Sequence, residues 1–127
     1  MSVVEIWEIL KDDPGINAFV PDSKVFPGVA FEGTQAPYIS IYSLLSSGRR
    51  LMGNRTLRIQ VSCFDTIYGR VQALADAVES AIENLDGQNG VFAAYIDGRV
   101  DIYETDTKLN HVAITGEIHF QSRPIFG

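Results

Sequence analysis

From Thr56 to Cys63 the chain alternates: Leu57, Ile59, Val61 and Cys63 share one parity, Thr56, Arg58, Gln60 and Ser62 the other. A period of two marks a strand with one face buried and one wet. Directly afterwards the period changes. Ile67, Val71, Leu74, Val78, Ile82 and Leu85 recur every three or four residues with Ala75 and Ala81 alongside, while Arg70, Asp76, Glu79 and Glu83 fall on the opposite side. This stripe predicts a long amphipathic helix over about 66–85, capped by Asp65 or Thr66 and ended by the turn residues Asp86-Gly87 and Asn89-Gly90. Strand and helix each need a cover for one apolar face, so the helix should lie on the sheet.

Upstream, Ser2 with Glu5 three residues later fits a capping box, and Val3, Ile6, Trp7 and Leu10 form one helical stripe that Asp13-Pro14-Gly15 stops. Trp7 is the expected anchor of this helix to the core. Ile16, Phe19 and Val20 suggest a further helical turn before Pro21. Val25-Phe26 reads as a short strand, followed by an irregular connection containing Pro27, Gly28, Gly33 and Thr34. Pro37 then opens a strand in which Ile39 and Ile41 face the core and Tyr38, Ser40 and Tyr42 face away. Glycines, serines and paired arginines predict a long hairpin loop at about 46–55. After the helix come Val91 to Ile96, a bend at Asp97-Gly98, Val100 to Tyr103, and a last strand from Asn110 to Phe120. In that last strand Val112, Ile114, Ile118 and Phe120 share a face, and Gly116, of the same parity, marks a bulge or a close approach of the helix. The predicted fold class is α+β: an antiparallel-dominated sheet packed on one face by the long helix, plus the N-terminal helix and the hairpin loop. Neither an internal repeat nor a linker interrupts the pattern, so residues 1–127 are read as a single domain.

Composition leaves this picture intact. With 46% apolar and 20% charged residues the chain is expected to fold. A net charge of -6 argues against a phosphate backbone as the main partner. One cysteine cannot form an internal disulfide, and Glu5 and Glu8 stand where a signal peptide would be basic, so a reducing, cytoplasmic setting is expected. The longest apolar run, Val91 to Ile96, is far short of the roughly 20 residues that cross a bilayer, so no membrane partner is expected.

Tests for chemistry return little. His111 and His119 lie on one face of one strand about 26 Å apart, too far to share a metal. Glu117 and His119 could form half a site, but no third ligand has the spacing, which favours a solvated polar face. Cys63 has the buried parity of Leu57, Ile59 and Val61 and is expected to be inert. No serine sits in a G-x-S-x-G turn. The segment Gly48 to Arg55 imitates the start of a phosphate-binding loop, yet lacks the Lys and the Ser or Thr, and a strand follows it where a helix is needed. No catalytic residue, cofactor or metal is predicted.

Arg49, Arg50, Arg55 and Arg58 gather four of the ten basic residues of an acidic chain into ten positions. A solvated loop, a contact with an acidic neighbouring subunit and a nucleic-acid contact all fit this cluster. Leu51 and Met52 favour protein contact, because apolar residues at a loop tip call for a cover, and the same reasoning applies to Ile125-Phe126. Arg49, Arg50, Leu51, Met52 and Arg55 are therefore the candidate contact residues.

The N-terminal helix, the Val25-Phe26-Pro27 element, the Gln35-Ala36-Pro37-Tyr38-Ile39 strand entry, the Arg58 to Phe64 strand, the helix after Asp65 and the closing strand through His111 occur in an order that resembles the tail-completion family of long-tailed phages and prophages, which includes tail-to-head joining and tail-terminator-like proteins. The resemblance covers most of the chain and is weakest between Gln88 and Lys108. It implies an α+β structural protein, no enzyme and no cofactor, that forms a homo-oligomeric ring, typically a hexamer, on the end of the tail tube. The implied partners are further copies of itself, the tail tube protein and the head-tail connector protein, with the arginine loop touching a subunit or the tube. DNA would pass through the ring without sequence-specific contact. The implied place is the virion tail, assembled in the bacterial host cytoplasm. The rival reading is a small ligand-binding or enzymatic α+β domain with a pocket between helix and sheet.

Overall fold

The computed structural model describes residues 2–28, 30, 33–46, 54–88 and 90–121. Helix α1 spans Val3–Lys11, with the Ser2 hydroxyl accepting the Glu5 amide at 3.4 Å, and it buries Ile6 and Leu10. Trp7 does anchor it: Nε1 donates to the Val25 carbonyl at 2.7 Å. Asp13 stops α1 and caps α2, Pro14–Asn17, by accepting the Ile16 amide at 3.1 Å, with proline in the first turn where its missing N–H costs nothing. Ile16 and Val20 reach the core from this turn.

Five strands form one sheet: β1 Val25–Pro27, β2 Tyr38–Ser46, β3 Asn54–Asp65, β4 Val91–Glu104 and β5 Leu109–Gln121, in the order β1-β2-β3-β5-β4. β1 runs parallel to β2 and every other pair is antiparallel, as the sequence predicted for most of the sheet. A cis Ala36-Pro37 bond precedes β2. The expected bend at Asp97-Gly98 is a bulge: β4 is one strand whose register on β5 shifts between Ile96 and Gly98.

Helix α3, Tyr68–Glu83, starts later than predicted. Ile67, assigned to the buried stripe, is 52% exposed, because its backbone is extended and the chain has not yet turned into the helix. Asp65 takes the Ile67 amide at 3.2 Å. The rest of the stripe, Val71, Leu74, Ala75, Val78, Ala81, Ile82 and Leu85, is buried against Leu57, Ile59, Val61 and Cys63 of β3 and Val112, Ile114 and Ile118 of β5. Burying each large side chain contributes roughly 1.5–3 kcal/mol. At Gly116 helix and sheet approach closely, since a Cβ there would stand 3.4 Å from Ile82 Cγ2. α1, α2 and α3 feed one continuous core on this side of the sheet. Among the described residues no helix covers the other side.

Candidate interaction surface

The uncovered face is built by the outward parity of four strands. At one end a row crosses them: Tyr38 of β2 stacks on Phe64 of β3 at 4.6 Å, Phe64 stacks on His111 of β5 at 4.2 Å, and Ile102 of β4 pairs with His111. Glu104 approaches His111 Nδ1 at 3.4 Å. Burial pushes the His111 pKa below its ordinary value, and the Glu104 carboxylate only partly offsets this. The second row is tighter than parity suggests: Ser40 and Ser62, assigned to the wet face, are buried. Gln60 donates to the Ser62 hydroxyl at 3.1 Å and to the Tyr42 hydroxyl at 2.5 Å, closing the surface around them.

Toward the other end, His119 is held on both ring nitrogens, by Thr56 Oγ1 at 3.0 Å and by Tyr95 at 3.2 Å and Glu117 at 3.1 Å. The Glu117–His119 pair is thus part of a hydrogen-bonded sheet surface. Arg58 pairs with Asp97. Phe92, Tyr95, Val100 and Ile102 of β4 are exposed on this side although β4 is an edge strand. The sequence reading did not single them out. Its signal was the run Val91 to Ile96, apolar on both parities, which is what a strand covered on both faces looks like.

On the helical side the buried ionisable groups hold the scaffold. Asp65 is fully buried and takes Arg70 through two bonds of 2.5 and 2.7 Å. Burial raises its pKa, but the Arg70 guanidinium and the Ile67 and Thr66 amides more than reverse that and hold it below the usual carboxylate range. Arg99 crosses from β4 to α3, donating to Asp76 at 2.7 Å, Glu79 at 2.5 Å and Gln72 Oε1 at 2.6 Å. Burial pushes the Cys63 thiol up to about 12, so it is a packed, unreactive side chain. Glu5, Glu8, Asp12, Glu83 and Asp86 lie exposed and make no ion pair with a described residue.

Three hollows bear on the rival reading. A cleft of about 850 Å³ opens beside the aromatic row, lined among others by Gln35, Tyr38, Phe64, Thr107 and Leu109. A notch of about 230 Å³ lies between the start of α3 and β4–β5, at Tyr68, Gln72, Asp101 and His111. The notch, between α3 and the sheet, is below the few hundred Å³ of an ordinary ligand pocket, whereas a hollow of about 450 Å³ between α1 and β1, at Trp7, Lys11, Asp22 and Phe26, is within that range.

Of the predicted contact residues, Arg49, Arg50, Leu51 and Met52 lie outside the described residues, as do Ile125 and Phe126. Arg55 is described, and it stands in β3 opposite Phe120 where the sequence placed it in the loop. It is half-buried and makes no ion pair with a described residue.

The family described as tail completion protein gp17 matches residues 4–120 of the chain. No curated protein matches it. Among solved structures, a chain in the virion of a native gene transfer agent particle is similar in fold, with a TM-score of 0.73 over 92% of both chains at 13% identity.

Proposed function

Because the chain belongs to the tail completion protein gp17 family, it is a structural protein of the phage tail, and we propose that it works as an oligomeric ring, a hexamer, that caps the tail tube and joins it to the head connector. The family match, which runs from within α1 to within β5, is the observation that carries this reading. Such a family points to a non-enzymatic role.

Ring closure requires a heterologous contact, one patch of a copy meeting a different patch of the next. The two layers offer unlike surfaces: an aromatic and aliphatic sheet face, and a helical side with exposed carboxylates that pair with no described residue. In this reading Arg49, Arg50, Leu51, Met52 and Arg55 touch the adjacent subunit or the tube. The net charge of -6 keeps passing DNA from adhering. The ring assembles in the host cytoplasm and ends in the virion tail.

The test is particle mass by light scattering together with tail length by electron microscopy, for the wild type and for Arg49→Glu with Arg50→Glu. A ring-sized mass that the double variant lowers, with tails of uncontrolled length, is expected. A wild type that stays a single chain alone and with tube protein would overturn the ring.

A further inference from the structure

The two candidate contact elements sit at opposite ends of the strands. Ser46 and Asn54, which flank residues 47–53, lie at the end where β3 meets Gln121, whereas the Tyr38–Phe64–His111 row lies at the other. From Asn54 to Phe64 is ten residues of strand, about 33 Å. A segment of residues 47–53 that must go out and return reaches no more than about 12 Å. It cannot cover the aromatic end of its own sheet. In a head-to-tail arrangement, the copy next in line presents that end to it.

The chemistry of the two ends is complementary. Residues 47–53 contain Arg49 and Arg50, no acid, and the apolar Leu51 and Met52. The opposite end has the aromatic cleft, with Tyr38, Phe64 and Leu109 in its wall. Beside it lie Glu104, whose carboxylate accepts from the cleft residue Thr107 at 3.0 Å, and exposed Asp106. Val100 and Ile102, 57% and 43% exposed, extend the apolar surface past His111. A cleft of about 850 Å³ holds several side chains of Leu or Met size. The helical side is the weaker match: its exposed Tyr68 and Tyr103 border a notch of about 230 Å³, against about 850 Å³ for the cleft.

We propose that the cleft beside the Tyr38–Phe64–His111 row is the receiving site for residues 47–53 of a second copy of this chain, with Leu51 and Met52 against the rings and Arg49 and Arg50 at Glu104 and Asp106. The inference rests on the ring reading and adds which surfaces meet. Each copy uses both ends once, so the contact propagates in one direction until the ring closes.

Mixing two single-cysteine additions tests it. Leu51→Cys protein and Thr107→Cys protein, combined under mild oxidation, can only join between different copies, and buried Cys63 does not compete. A 51–107 disulfide-linked dimer is expected, with Leu51→Cys mixed with Glu83→Cys as the control for the helical side. Leu109→Asp should weaken assembly more than about tenfold while the thermal transition persists. Glu104→Lys should restore assembly to Arg49→Glu/Arg50→Glu. If the wild type assembles but the link forms only at 83, or forms at neither position with Leu109→Asp unimpaired, the docking is wrong and the ring stands. If the wild type never assembles, alone or with tube protein, the ring reading falls and the docking with it.

Discussion

Replacing Gly116 tests the contact on which the scaffold depends, the seat of α3 on the centre of the sheet. A Cβ at this position would stand 3.4 and 3.6 Å from Cγ2 and Cδ1 of Ile82 and 3.6 Å from the Tyr95 carbonyl, all ordinary contact distances. Alanine therefore fits, and by restricting the unfolded chain it should stabilise by about 0.4–1 kcal/mol. Valine adds two methyl groups in a space already filled by Ile82, which is fully buried and cannot swing into solvent. Overpacking of this kind costs about 1–3 kcal/mol, and the strand preference of valine returns less than about 1. A net loss of about 1–2 kcal/mol is expected, a fall of roughly 4–8 °C in Tm for a domain this size. Ile82→Ala alone should cost about 2–5 kcal/mol, and in the Gly116→Val background it should cost at least about 1 kcal/mol less, because the added methyls occupy the vacated space. Urea and thermal unfolding of the four proteins measure the cycle. A neutral Gly116→Val, or losses that simply add, would refute the packing of Ile82 on Gly116.

Arg99→Met removes the tie between β4 and α3, leaving Asp76 and Glu79 without their cation. It should cost about 1–2 kcal/mol and speed amide hydrogen exchange in β4 before that in β3. Two pH windows should separate. His111, with its folded pKa depressed, leaves stability whole above its unfolded value of 6.5, and stability falls as pH drops through 6.5; His111→Phe should flatten that step in pH-dependent urea midpoints. Asp65, also depressed, contributes above its unfolded value of 3.8 and loses that contribution as pH falls below it, so Asp65→Asn should cost about 2 kcal/mol at pH 7 and remove the acid step. Cys63 should resist thiol reagents in native buffer and react in denaturant; rapid native labelling would contradict its burial.

The parts legible in the sequence were those with one buried face. β3 shows a clean period of two because α3 covers one side only, and α3 shows its stripe for the same reason. Ile67 continued the stripe by spacing and still misled, since it precedes the first helical residue and the Asp65 cap keeps its backbone extended. Arg55 has loop-like neighbours in sequence, but the pairing with Phe120, contributed from 65 residues downstream, makes it strand. Ser40 and Ser62 read as wet because parity alone cannot register the rings and the Gln60 amide above them. The order β1-β2-β3-β5-β4 depends on which distant strands pair, and no local pattern encodes it. The cleft was invisible for a related reason: Gln35, Tyr38, Phe64, Thr66, Thr107 and Leu109 line it only once β2, β3 and β5 stand side by side.

Electron microscopy of purified tail tubes, incubated with this protein and then challenged with fresh tube subunits, tests the ring most directly. Closed rings of density on one end of each tube, with no further elongation, are expected. Tubes that keep growing, or that carry the protein along their sides as single chains, would contradict it.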